Sequence, residues 1–295
     1  MKILLTGGTG FIGRPLKSQL ISLGHEVFAL TRLKRTSMEN LRYIQWSWKS
    51  PEDLTEFVNE VDIVINLAGE PVVGKRWTKE QKETLLQSRI NPTKALVSAI
   101  NNASKKPKKF ISASAVGIYG NRFDEKLTEE SSLGSDFLAN LCKEWEAEAL
   151  KANTNIVIIR IGIVIGKGGG ALKRMLPLFK IGLGGPLGTG KQWMPWISLR
   201  DTVDLIRFAM DHDNVAGIIN ATSPNPVTNE RFSKTLGKVL HRPVFLPAPD
   251  LALRLLLGEI ADLILGGQRV IPERALQYGY NFRHEELGDA LVRAV

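Results

Sequence analysis

Gly7, Gly10 and Gly13, spaced as G-x-x-G-x-x-G within Thr6-Gly7-Gly8-Thr9-Gly10-Phe11-Ile12-Gly13, carry the strongest chemical signal in the sequence. They fall between a short apolar run, Lys2 to Thr6, and a helical pattern that reaches Leu23. Missing side chains there allow a tight turn, close approach of backbone to a pyrophosphate, and close packing of helix on strand. The helix N-terminus then offers free N–H groups and the positive end of its dipole to phosphates. The strand–turn–helix context favours a dinucleotide cradle over a merely structural turn. A second strand, His25 to Thr31, ends in Thr31-Arg32, with Lys34 and Arg35 behind. An acidic residue at that point would accept from the ribose hydroxyl of NAD, whereas a guanidinium suits a 2′-phosphate. The cofactor expected is NADP, the alternative being an ordinary basic surface turn.

Two other glycine-rich stretches are decoys. Gly185 to Lys191 begins like a P-loop, but Gln192 stands where a hydroxyl would ligate Mg²⁺. Lys167-Gly168-Gly169-Gly170 reads as a loop.

Strands and helices alternate over the first 165 residues, which implies a parallel, doubly wound α/β sheet of the Rossmann type. Further strands are expected at Leu41 to Trp46, Asp62 to Ala68, Lys108 to Ala115 and Asn155 to Ile165. Helices are expected at Pro51 to Asn59, Thr78 to Asn101 and Ser135 to Lys151. Beyond that the rhythm fails, with one helix near Leu172 to Phe179, another after Asp201, and a strand, Gly217 to Ala221, returning to the sheet. Residues 1–170 with about 198–222 are therefore assigned to a dinucleotide-binding domain. Residues about 171–197 and 223–295 form a smaller, mostly helical substrate domain.

Bulk properties exclude several classes. The single cysteine, Cys142, leaves no internal disulfide and suggests a reducing compartment. The four histidines lie far apart, so no metal site is expected. The apolar stretch Leu251 to Leu265 is broken by Arg254, Glu259 and Asp262 and falls short of the roughly 20 residues of a membrane span. It reads as an amphipathic or buried helix. The chain starts on a strand, so neither a secretory nor a transit segment is expected, and the cytoplasm is the default. A net charge of +9 favours anionic partners, but the Lys and Arg residues are scattered and carry no nucleic-acid-binding signature. The partners expected are a small-molecule substrate, with no nucleic acid and no membrane, on a monomer or homodimer.

The fingerprint, with Asn66-Leu67-Ala68-Gly69, Ser112-Ala113-Ser114 and Arg160-Ile161-Gly162-Ile163-Val164-Ile165-Gly166, resembles the extended short-chain dehydrogenase/reductases. That superfamily includes nucleotide-sugar epimerases and dehydratases. Gly184-Gly185-Pro186, Gln192-Trp193-Met194-Pro195-Trp196-Ile197 and Gly266-Gly267-Gln268-Arg269-Val270-Ile271-Pro272 are similar to its poorly characterised "epimerase family protein" branch. Some bacterial members of that branch are labelled cell-division inhibitors. The resemblance covers essentially the whole chain. It implies a catalytic Ser, Tyr and Lys: Ser114 and Lys143 match, but Ala139 stands where the tyrosine belongs. Tyr119 is the nearest substitute as proton carrier, and Lys143 could instead contact the nicotinamide ribose. Leu67, Ala68 and Gly69 are expected under the cofactor, Arg89 at its phosphates (or in a surface salt bridge), Val164 near the nicotinamide, and Arg160 among the cofactor-binding residues. Gln192, Trp193 and Trp196 are expected to line the substrate pocket, whereas Trp46 and Trp48 are read as packing.

Two functions compete. One is an NADP-dependent oxidoreductase or epimerase acting on a small substrate, nucleotide-linked compounds among the candidates. The other is a catalytically degenerate NADP(H)-binding regulator, linked for example to cell division.

Overall fold

The computed structural model describes residues 1–48 and 53–295. In chain order the elements are β1 (Lys2–Thr6), α1 (Gly13–Ser22), β2 (Glu26–Thr31), β3 (Leu41–Gln45), α2 (Thr55–Glu60), β4 (Ile63–Asn66), α3 (Lys79–Asn102) and β5 (Lys109–Ala115). They continue as β6 (Lys126–Leu127), α4 (Phe137–Ala149), β7 (Asn155–Ile161), β8 (Ile163–Ile165), α5 (Gly170–Lys180), β9 (Trp193–Met194), β10 (Trp196–Ser198) and α6 (Leu199–Asp211). The last are β11 (Gly217–Ala221), β12 (Val227–Thr228), α7 (Asn229–Leu240), α8 (Asp250–Leu257), α9 (Ile260–Leu265), β13 (Arg269–Val270), α10 (Glu273–Gln277) and α11 (Leu287–Val292).

Seven strands form one parallel sheet in the order β11-β7-β5-β4-β1-β2-β3. The order reverses between β1 and β4, which opens a crevice at their carboxyl ends, where folds of this kind take ligands. Near-continuous apolar strands follow from burial of both faces. Ile3, Leu5, Val27 and Ile65 pack on α1 and α6, while Leu4, Phe28, Val64 and Phe110 pack on α2 and α3. This is the doubly wound Rossmann-type α/β architecture that the alternation of strands and helices implies.

The edge strand β11 is covered rather than left open. Its Asn220 N–H donates to Glu129 Oε1 at 2.8 Å, Arg274 donates to the Ile218 carbonyl, and Tyr278 donates to that of Ala216. Capping these groups removes a template for edge-to-edge pairing.

Three expectations need correction. The strand expected over Asn155 to Ile165 divides at Gly162, where a side chain would collide with the Pro195 carbonyl. β7 stays in the sheet, and β8 leaves it to pair with β10. The helix expected over Leu251 to Leu265 divides at Gly258 into α8 and α9, and α8 buries none of its residues. The α2 helix begins at Thr55 rather than Pro51, and Pro51 itself lies outside the described residues. Among the described residues no helix is long and apolar enough to cross a membrane. No group of three or more His, Cys, Asp or Glu is placed to hold a metal ion among them.

Candidate cofactor and active site

The turn after β1 has glycine where the backbone packs too closely for a side chain. Gly7 has φ +68°, and a Cβ there would run into the Leu67 carbonyl. A Cβ on Gly13 would strike the carbonyl of Gly7. The Gly10 N–H donates to the Gly7 carbonyl at 2.9 Å, and the Arg14 N–H donates to Gly10 at 3.0 Å as the helix begins. A Cβ on Gly10 would meet only the Gly7 carbonyl oxygen, so its other side is open. No side chain caps α1, whereas Thr78, Asp136, Ser198 and Thr228 cap α3, α4, α6 and α7. Thr9, Phe11 and Ile12 complete an open backbone cradle ending on uncapped N–H groups, which fits a pyrophosphate.

The flanking wall is fixed by hydrogen bonds between strand ends. Thr6 Oγ1 donates to Asn66 Oδ1 at 2.7 Å and accepts from the Leu67 N–H at 3.1 Å. This pins the Leu67–Gly69 turn beside the glycine turn. Arg89 is buried beneath it: its Nη2 donates to the Glu70 carbonyl and its Nη1 to that of Leu85, both at 2.9 Å. The guanidinium also lies 5.4 Å from the Trp145 ring centroid. Burial draws its pKa down, against the opposing pull of Cys142 and Glu70. Arg89 is therefore neither a surface salt bridge nor a free phosphate donor; it braces the turn. At the end of β2, Thr31 is buried and Arg32 exposed, with no ion pair or hydrogen bond from the Arg32 side chain among the described residues.

At the end of β5 lies a buried polar network, fully covered at Tyr119 and retaining a small exposed surface at Ser114. Ser114 Oγ donates to Glu146 Oε1 at 2.6 Å, and Arg160 reaches both oxygens of the same carboxylate at 2.9 and 2.8 Å. Arg160 also donates to Tyr119 Oη at 2.9 Å, and Tyr119 donates to Asn220 Oδ1 at 2.7 Å. Burial opposes the charge on Arg160, but the hydrogen bonds to Glu146 and Tyr119, with the Glu146 charge, overcome it and raise its pKa. Burial raises the Tyr119 phenol, which Arg160 only partly offsets.

Several expected roles change with these positions. Arg160, expected among the cofactor-binding residues, is committed to a buried ion pair with Glu146. Tyr119 is fully covered, with its hydroxyl donating to one residue and accepting from another, so it does not face an open cleft. Trp196 is likewise wholly buried, its indole N–H donating to the Asn225 carbonyl. Gln192 donates to the carbonyls of Leu187 and Ile264 and so ties its loop to the end of α9. Trp193 remains partly open. Val164 is buried against Ile197 in the β8–β10 pair. Lys143 is half-buried on α4 and donates to Asn140 Oδ1 at 3.3 Å, while Ala139 is fully covered. Cys142, next to them, is also sealed in, and burial lifts its thiol to about 11.

Two residues were given no role of their own in the reading of the sequence. Glu146 is visible there three positions after Lys143, but its partner lies fourteen residues further on. Arg269 sits beside Trp193 across strands far apart in the chain, with 4.5 Å between guanidinium and ring centroid.

A seven-stranded sheet with its switch point at a glycine turn defines a Rossmann-type nucleotide-binding protein. The chain belongs to the NAD dependent epimerase/dehydratase family, whose model matches residues 3–221. Residues 248–294 match a domain of unknown function, DUF1731. The chain is 43% identical to the "Epimerase family protein SDR39U1 homolog, chloroplastic" of Arabidopsis thaliana, over 99% of this chain and 86% of that protein. It is 39% identical to "Epimerase family protein YfhF" of Bacillus subtilis (strain 168), over 100% of this chain and 98% of that one. The crystal structure of human epimerase family protein SDR39U1 (isoform2) with NADPH superposes with a TM-score of 0.91 at 35% identity, covering 99% of this chain and 98% of that chain.

Proposed function

We propose that this chain is an NADP-binding oxidoreductase or epimerase-like protein that acts on a small substrate. The observation that carries the proposal is the tight glycine turn at the switch point, together with an exposed Arg32 rather than an acidic residue after β2. The NADPH in the human relative supports the same choice. When bound, the cofactor supplies hydride chemistry. The chain's own residues do the rest: Gly7 to Gly13 hold the pyrophosphate, Arg32 meets the 2′-phosphate, and Leu67 to Gly69, braced by Arg89, form the floor. Ser114 and Lys143 are the groups assigned to substrate and proton handling. The substrate enters between the dinucleotide-binding part (1–170 with about 198–222) and the smaller part (about 171–197 and 223–295). Buried, unpaired Cys142 suits a reducing compartment, and we assign the protein to the cytoplasm.

Ala139 favours a second reading, a binding protein that senses NADP(H) without turnover, because no tyrosine is available at the usual place and Tyr119 is sealed. The experiment that separates them is calorimetric titration with NADPH, followed by incubation with NADP and a panel of nucleotide sugars while reduced nicotinamide is monitored. Binding with turnover supports the enzyme, binding without turnover the sensor, and no binding overturns both.

A further inference from the structure

Arg269 opens β13 in register with Lys126 of β6. The strands run parallel, so paired residues share a face, and the next pair, Leu127 and Val270, is buried on the other. The register therefore sets two cations side by side on the outer face. Like charges directly opposite each other are destabilising when nothing lies between them.

The surroundings hold Arg269 in place without satisfying it. Its guanidinium lies over Trp193, whose indole N–H is anchored to Asp124 Oδ1 at 2.7 Å. Its one ion pair among the described residues is with Asp124 at 3.8 Å, beyond hydrogen-bond distance, and Asp124 is 81% exposed. A pair so open to water contributes little. The neighbouring Arg122 is already matched by Glu125. Arg269 and Lys126 are thus opposed locally by Asp124 alone, and the guanidinium donors remain open. The cluster also stands at the exit of β5: the Gly267 N–H donates to Asn121 Oδ1, and the Arg122 N–H donates to the Gly267 carbonyl, each at 3.2 Å. That is the carboxyl edge of the sheet, where ligands of open α/β folds lie.

We propose that Arg269, held flat on Trp193 and backed by Lys126, anchors an anionic head group of the substrate, a phosphate or a carboxylate. The inference rests on the function proposed above and narrows its substrate to an anionic compound. A planar guanidinium presents two parallel N–H groups to either head group, and stacking fixes its orientation before the ligand arrives. Lys126 adds a second charge beside the first.

The test is calorimetric titration of the full chain, saturated with NADPH, using UDP, inorganic pyrophosphate and citrate as probes. At least one should bind the wild type, the phosphates and citrate telling the two head groups apart. Arg269→Gln should weaken that binding at least about tenfold, the order expected for losing a charge-assisted hydrogen bond. Arg269→Lys, which keeps the charge but loses the fork, should fall between. Lys105→Gln, a surface cation elsewhere, should bind as wild type. Melting temperature and NADPH affinity should be unchanged in all three variants. If Arg269→Gln and Arg269→Lys both bind like wild type, or if none of the probes binds wild type, the site is refuted. Repeating the titration without cofactor separates the two readings. Arg269-dependent anion binding in a chain that fails to bind NADPH would overturn the proposed function and leave the anion site standing.

Discussion

Ser114 and Glu146 share a 2.6 Å hydrogen bond between the end of β5 and the middle of α4, and the serine is its donor. The same carboxylate accepts from Arg160 Nε and Nη2 at 2.9 and 2.8 Å, so every contact made to it is an accepted one. The proton of Ser114 is therefore committed inward, and what it offers a substrate is its lone pairs. A hydroxyl or amide group on the substrate fits that better than a carbonyl.

Removing Glu146 should cost more than removing Ser114. Glu146→Ala would strand Arg160, whose side chain is only 3% exposed, without its partner. Breaking a buried pair from one side typically costs about 3–5 kcal/mol. Ser114→Ala deletes one hydrogen bond to a charged group, worth about 1.5–3 kcal/mol. Urea denaturation of both variants checks the order; a Glu146→Ala midpoint equal to wild type would contradict the ion pair's role.

NADPH should bind more tightly than NADH, and Arg32→Ala should narrow the gap. Arg32 is exposed and has no competing partner among the described residues, so its guanidinium is free to meet a 2′-phosphate. One charge-assisted hydrogen bond there contributes about 1.5–3 kcal/mol, roughly one to two decades of affinity. Fluorescence titration with both cofactors measures this. Equal affinities in wild type and variant alike would defeat it.

The sheet and its glycine turn were legible in the sequence because local signals specify them: apolar runs and glycines at fixed spacing. The active-site end was less so. Arg160 looks like a strand residue near the cofactor until the fold brings it against Glu146, and the hydroxyl of Tyr119 is closed off by Asn220, about a hundred residues later. Trp196 and Gln192 share one motif with Trp193, yet Trp196 is wholly buried and Gln192 is tied to the Leu187 and Ile264 carbonyls, while the Trp193 ring stays partly open. Burial of neighbours in a motif depends on β9, β10 and β12 pairing at long range, which no short pattern encodes.

Glu129 should make stability depend on pH in an unusual direction. Burial raises its pKa, and the N–H groups of Asn220 and Arg274, with the Arg274 charge, offset this only in part. Its Oε2 is buried without a hydrogen-bond partner. The folded state therefore keeps the Glu129 proton at pH values where the unfolded chain has lost it. This contribution is full below the ordinary glutamate pKa and is lost as pH rises through the raised folded value, so stability falls across that window. Glu129→Gln retains an acceptor for both N–H groups and removes the titration. Its stability, measured by denaturant melts from pH 4 to 8, should lack that component of the slope. An identical pH profile in wild type and variant would refute the assignment.

Chemistry, where turnover is found, should require Ser114 and Lys143 but not the phenol of Tyr119. Ser114 stands at the carboxyl end of β5, and Lys143 is half-buried on α4, its ammonium held only by Asn140 among the described residues. General acid–base assistance is worth roughly 10²–10⁴ in rate, so Lys143→Ala and Ser114→Ala should each lose activity on that scale. Tyr119 is fully covered, and its hydroxyl joins Arg160 to Asn220. Tyr119→Phe should therefore lower stability by about 1–3 kcal/mol, through the groups it leaves unpaired, and leave the rate per folded molecule near wild type. With Ala139 in place of the usual tyrosine, the proton must then travel through the substrate or water. A solvent isotope effect and pH profile that are the same in Tyr119→Phe as in wild type would support this route. A loss in Tyr119→Phe as large as in Lys143→Ala, at full folding, would instead return the phenol to the reaction.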